Sequence, residues 1–203
     1  MSESFPPILD AGPGLNFFSI HRERLLFQVV GRLACPEIVL NEMRGKAARD
    51  ARFEATTRVL SKIRGTKLFD VLSDEVTKEL NRAVQRIAGA PLGSAGLPAK
   101  NLGEVMVIAH AVVRAEAGQT VVVIIDDGDG RRRALLEQAR LMRMQLQGVS
   151  CGRIELLSTV GILKQALEED LIDKGELREL YQRMRALDDG LIPFEKTSLT
   201  SLS

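Results

Sequence analysis

The run Thr120-Val-Val-Val-Ile-Ile125, closed by Asp126-Asp127-Gly128-Asp129, limits the fold more than any other stretch of the chain. A continuous β-branched run leaves neither face of a strand polar, so it predicts a central strand of a parallel sheet covered on both sides. Parallel neighbours need crossover connections, normally helices, and the rest of the chain alternates strand and helix signals accordingly.

Pro7-Ile8-Leu9 reads as a short strand ending at Asp10, and Gly12-Pro13-Gly14 turns the chain into a helical stretch carrying Leu15, Phe18, Leu25, Leu26 and Val29. Leu33-Ala34-Cys35 predicts a second short strand, and Pro36 the first residue of a helix through Arg44 that carries Glu42. Residues from about 45 to 100 read as a helical insertion. Its helices lie around Ala47–Ile63 and Asp74–Ile87, the latter capped by Ser73 with Val76, Leu80, Val84 and Ile87 as its buried stripe. The glycine- and proline-rich stretch 89–98 reads as a mobile loop, followed by a helix from Asn101 to a Gly118 stop. Beyond the central strand come a basic helix from Arg131 to about Leu146, a strand at Ile154–Leu157, and helices near Val160–Glu169 and Lys174–Leu187. The expectation is a single α/β domain over 1–196, an open parallel sheet with helices on both faces, and a disordered tail at 197–203.

With 203 residues, 45% hydrophobic and 27% charged, the composition is that of a globular chain, neither disordered nor fibrous. The formal net charge of +1 neither demands nor forbids a polyanionic partner, so charge placement must carry that question. Cys35 and Cys151, far apart in apolar surroundings, suit two buried thiols and a reducing, cytoplasmic setting. No apolar run approaches the roughly 18–20 residues that span a membrane, and the opening Met-Ser-Glu-Ser lacks the basic start of a signal peptide.

Acids at strand ends carry the chemistry. In open parallel sheets, sites form at the carboxyl ends of the strands, where loops and helix N-termini converge. Asp10 closes the first strand and Asp126/Asp127 close the central one, so both should face the same edge. Carboxylates held close repel unless they protonate or a cation neutralises them. An oxygen-only ligand set, with no His/Cys cluster, suits Mg²⁺ or Mn²⁺ rather than Zn²⁺. Such ions can activate water for in-line attack on a phosphodiester and neutralise the leaving oxyanion.

Several pieces together resemble the PIN-domain ribonuclease family. Ile-Leu-Asp10-Ala-Gly-Pro-Gly-Leu-Asn16-Phe-Phe resembles the family's first strand and turn, and Pro36-Glu-Ile-Val-Leu-Asn-Glu42 its second acidic position. Asn-Leu-Gly103-Glu104 is similar to the helix start supplying the third acid. Val-Ile-Ile-Asp126-Asp127-Gly-Asp129-Gly-Arg-Arg-Arg-Ala134 resembles the fourth-acid strand end with its basic helix, and Leu156-Leu-Ser-Thr-Val-Gly161 the turn that follows. The resemblance implies a Mg²⁺-dependent endoribonuclease acting on single-stranded or structured RNA. It implies catalytic acids at Asp10, Glu42, Glu104, Asp126 and Asp127, and metal contacts from Asp10, Glu104, Asp126, Asp127 and Asp129. RNA contacts fall to Asn16, Arg131, Arg132 and Arg133. The family also implies an antitoxin protein as partner, as in VapC-like toxin–antitoxin pairs, and a homodimer whose interface the apolar helices between Ala47 and Ile87 could supply. The stretch between Glu42 and Glu104 is longer than in the compact toxins.

Other roles stand beside these. Asp10 suits a strand-to-turn boundary, Asn101-x-x-Glu104 is close to a capping box, and Asp129 suits a helix N-terminus. Either Asp126 or Asp127 could be the direct ligand. Glu42 has Ile38 and Val39 one turn back, beside a buried stripe. The arginine triplet could be a solvated helix face, Asn16 could bond local backbone, and His110 suits a satisfied core histidine. Two other functions remain: a catalytically quiet module that binds RNA or protein, and a phosphoryl-accepting receiver-type domain, for which Ser158-Thr159 offers a hydroxyl but no lysine is similarly placed.

Overall fold

The computed structural model describes residues 5–96, 101–188 and 190–201. Five strands, β1 (Ile8–Leu9), β2 (Leu33–Pro36), β3 (Phe69–Leu72), β4 (Val121–Ile124) and β5 (Ile154–Leu157), form one all-parallel sheet in the order β3-β2-β1-β4-β5. Consecutive residues of β1 and β2 are buried, and side chains alternate across a strand, so both faces are covered. The expected α/β architecture is therefore present.

Nine helices accompany the sheet among the described residues: α1 (Ala11–Phe18), α2 (Glu23–Val30), α3 (Glu37–Arg49), α4 (Glu54–Ile63), α5 (Lys78–Ala88), α6 (Leu102–Glu116), α7 (Gly128–Leu146), α8 (Thr159–Glu168) and α9 (Lys174–Leu187). The apolar helix α6 crosses β1, β2, β4 and β5 and packs between α5 and α7, while α1 packs against α2 and α9, and α8 against α2 and α9. Ile108, Val112, Phe17, Phe18 and Tyr181 are among the fully buried side chains of one continuous core. No helix among the described residues is long and apolar enough to cross a membrane.

Several boundaries differ from expectation. The segment 45–100 is not all helical. Phe69–Leu72 pairs with β2 as an edge strand, with Val71 exposed, and so carries no run of alternating burial that a sequence could display. Ser73 caps no helix: its hydroxyl accepts the Glu75 amide in a turn, α5 starts at Lys78 under a Thr77 cap, and Val76 is exposed rather than part of the stripe. The stretch from Leu15 to Val29 is broken at His21, which takes φ 56°, into α1 and α2. Helix α3 runs on to Arg49, and a 3-10 turn at Ala51–Phe53 separates it from α4. Residues 89–96 leave α5 through a left-handed Gly89, whereas residues 97–100 of the expected mobile loop lie outside the described residues.

The tail is the largest correction. Ser198–Ser201 forms a 3-10 turn that buries Leu199, and the Tyr181 hydroxyl donates to the Ile192 carbonyl at 2.7 Å, with the Tyr181 and Phe194 rings edge to face. Residues 202–203 lie outside the described residues. Apolar contact with α8 and α9, not polarity of composition, decides this segment.

Candidate metal and nucleic-acid site

Strand order builds the site. The chain adds β2 and β3 on one side of β1, then returns to place β4 on the other, so sequence direction reverses between β1 and β4. Loops part at such a switch point and leave a crevice at the carboxyl ends of the strands. Asp10 follows β1 directly and its amide donates to the Ile124 carbonyl at 3.0 Å. Asp126 stands two residues beyond β4, so the two acids meet at this crevice, in a cavity of about 290 Å³.

Six carboxylates line that cavity, those of Asp10, Glu42, Glu104, Asp126, Asp127 and Asp188, together with one cation, Lys46. The first five are the residues expected to be catalytic. Glu42 reaches the cavity because Gly103, in the first turn of α6, has no side chain: a Cβ there would lie 2.6 Å from Glu42 Oε2. Gly130 gives Glu104 the same clearance, a Cβ there falling 3.3 Å from Glu104 Oε2.

The competing roles separate. Asn101 is the α6 N-cap, but in a left-handed conformation with no side-chain cap bond, so no capping box holds Glu104, and its Oε2 is buried without a partner among the described residues. Asp127 is the α7 cap: its Oδ1 accepts the amides of Asp129 (2.7 Å) and Gly130 (3.0 Å). Asp126 is held instead by Thr159, whose amide donates to Oδ1 at 2.8 Å and whose hydroxyl donates to Oδ2 at 2.5 Å. The Thr159 hydroxyl that a receiver-type reading would need is thus committed to Asp126. The strand order also differs from the 2-1-3-4-5 order of receiver-like sheets.

Asn16, fully buried in α1, donates from Nδ2 to Asp126 Oδ2 at 3.3 Å. Flipping the amide would set oxygen against carboxylate, so its orientation is fixed. Its Oδ1 is then left buried and without a partner among the described residues. Two orphaned acceptors, Asn16 Oδ1 and Glu104 Oε2, belong to residues of the same acid-lined cavity.

Charge in this space is strongly perturbed. Burial, then the nearby Glu104 and Glu42, push Asp10 up to about 7 despite the opposing Ala11 and Gly12 amides. Burial, then Asp127, Asp129 and Glu42, push Glu104 up to about 7. Burial also raises Glu42 and Asp126, with Lys46 opposing the first and Thr159 the second; Asp188 adds to the rise of Asp126. Among the described residues, no group of three or more His, Cys, Asp or Glu side chains is assembled tightly enough to hold an ion as it stands. A cation bound there would have to draw the oxygens inward. The donor set, all oxygen and rich in unpaired acceptors, fits a hard divalent ion.

Other expectations fall outside the cavity. Asp129 is paired with Arg132 and Arg133 at 2.5 and 2.9 Å, which holds its pKa down, and it does not line the site. The arginine triplet is likewise engaged: Arg131 donates to the Ile125 carbonyl and Arg133 to that of Ile87. His110 is a satisfied histidine, its Nε2 2.9 Å from Asp74 Oδ1, while Asp74 Oδ2 accepts the Ile38 amide at 2.6 Å and so ties the end of β3 to α3 and α6. Cys35 is buried in β2, with its thiol pushed up by burial, and Cys151 is half-buried outside any strand.

Asp188 and Lys46 were not anticipated. The Asp-Asp-Gly at 188–190 repeats the Asp-Asp-Gly at 126–128, and the Glu42–Lys46 spacing puts both on one side of α3; these were the available signals. Comparison with family models, with curated proteins and with solved structures returns no match for this chain.

Proposed function

We propose that this chain is a PIN-like, Mg²⁺- or Mn²⁺-dependent endoribonuclease. The observation that carries the reading is the pair of buried, unpartnered acceptors, Asn16 Oδ1 and Glu104 Oε2, in a cavity lined by six carboxylates at the switch point of a parallel sheet. Acceptors without donors, beside acids that repel, call for positive charge. Asp10, Glu42, Glu104 and Asp126 would hold the ion, which supplies Lewis-acid chemistry toward a phosphodiester when bound. Asn16 and Thr159 orient Asp126, and Asp127 fixes the start of α7 beside it. RNA as substrate, an antitoxin protein as partner, and a homodimer belong to the same proposal.

The test is cleavage of a single-stranded RNA by purified protein. Activity should require Mg²⁺ or Mn²⁺ and should vanish in Asp10→Asn. Cleavage that survives EDTA or loss of Asp10 rejects the metal mechanism. A catalytically quiet module is the second reading, favoured by the spread of the acids. It would show no Asp10-dependent uptake of Mg²⁺ in calorimetry.

A further inference from the structure

We propose that Lys46 is the residue that contacts the substrate phosphate, a role that rests on the nuclease reading above. A polyanionic strand entering a cavity of six carboxylates meets repulsion, and even two divalent ions leave the acids in excess. Some fixed positive charge must face the phosphates, and Lys46 is the one cation among the described lining residues.

Four guanidinium groups near the cavity are already committed. Arg131 and Arg133 bond main-chain carbonyls, Arg132 and Arg133 pair with Asp129, and Arg52 pairs with Asp50. Lys46 differs. It lies one turn beyond Glu42, the favoured spacing for a helical ion pair, yet makes no ion pair with a described residue. Its ammonium instead sits over the Phe53 ring, 4.4 Å from the centroid. Phe53 is 1% exposed and its amide donates to the Asp50 carbonyl, so the ring is a fixed platform in the turn between α3 and α4. Cation–π contact restrains the lysine without neutralising it. Three donor hydrogens then remain for phosphate oxygens at the cavity wall.

The test uses a fluorescent single-stranded oligoribonucleotide with Ca²⁺ replacing Mg²⁺ to prevent cleavage, comparing the wild type with Lys46→Met and Lys46→Arg. Lys46→Met should weaken binding about tenfold and reduce the slope of log affinity against log salt by about 0.7, one phosphate contact on a single strand. Lys46→Arg should keep most of both. Mg²⁺ affinity measured by calorimetry should be unchanged or tighter in Lys46→Met, because a positive charge has left an acidic cavity. A merely structural lysine would lower the melting temperature and leave the salt slope as in the wild type; that result overturns the proposal, as does wild-type binding by Lys46→Met. Wild type that takes up no Mg²⁺ overturns the nuclease reading, and this inference with it, whereas intact Mg²⁺ uptake with an unchanged slope overturns this inference alone.

Discussion

Replacing Asp10 with Asn would remove the charge from the most deeply buried acid of the cavity while keeping its shape. Asp10 is 5% exposed, and its pKa stands at about 7 against an ordinary 3.8, burial being the largest cause. The native state therefore binds this proton more tightly than the unfolded chain does. Stability from the group is fully present below about pH 4 and is lost as pH rises through about 7. At ~1.4 kcal/mol per pH unit the interval corresponds to about 4 kcal/mol. Buried sites respond as though their effective dielectric were nearer 20 than 4, which brings the contribution to about 2 kcal/mol.

Asn carries no such penalty. In chelator at pH 8, Asp10→Asn should melt above the wild type by about 4–8 °C, given roughly 2–4 °C per kcal/mol in a chain of this size. The advantage should shrink steadily between pH 7 and pH 4. Mg²⁺ at pH 8 should raise the melting temperature of the wild type well above any shift in the variant, which has lost one of the four carboxylates proposed to hold the ion. Scanning calorimetry from pH 4 to pH 8, with EDTA or Mg²⁺, measures both effects. The difference between the two proteins isolates this carboxyl from Asp50 and Asp129, whose depressed pKa values act in the opposite direction. A difference that stays flat with pH, or a variant that melts below the wild type in EDTA at pH 8, would show that Asp10 carries no raised pKa.

Three further perturbations separate site from scaffold. Gly103→Ala places a Cβ 2.6 Å from Glu42 Oε2, and because a carboxylate tip can swing away the fold should lose less than ~1 kcal/mol while Mg²⁺ affinity falls about tenfold in calorimetry. Asp129→Asn should bind Mg²⁺ as the wild type does, since its carboxylate is held by Arg132 and Arg133 outside the cavity; a clear loss would restore it as a ligand. Glu137, 6% exposed between Arg86 and Arg140, ties α7 to α5, and Glu137→Ala should lower urea-unfolding stability by ~2–3 kcal/mol, less than a fully buried pair because both arginines retain some solvent.

How far the sequence discloses such a site depends on the range of the interactions that make it. The β-branched run at 120–125 and the acids that end it are legible because burial on both faces and strand termination are local properties. Asp10 is legible because it lies just beyond a short apolar strand, and Glu42 because it sits one helical turn from the apolar Ile38 and Val39. β3 is hidden because four residues at a sheet edge need bury only one side, and Phe69-Asp-Val-Leu72 shows no period that distinguishes it from the helices around it. The Ser73 cap fails because an identical hydroxyl–amide bond can close a turn as readily as a helix, and only the position of β3 decides between them.

Asp188 is hidden more deeply, since it follows α9 directly as that helix's C-cap and reaches the cavity only through the packing of α9 on α1, which no local pattern announces. The same logic governs the cavity's chemistry. Asp10 and Asp126 are 116 positions apart by their numbers, and no local rule states that β1 and β4 are neighbours; the sheet order does. Once that order is given, the two strand-end acids must share one crevice, and the burial that raises both of them follows from the fold, not from any short motif. Metal dependence of stability, read through Asp10, therefore tests the architecture and the proposed chemistry in one measurement.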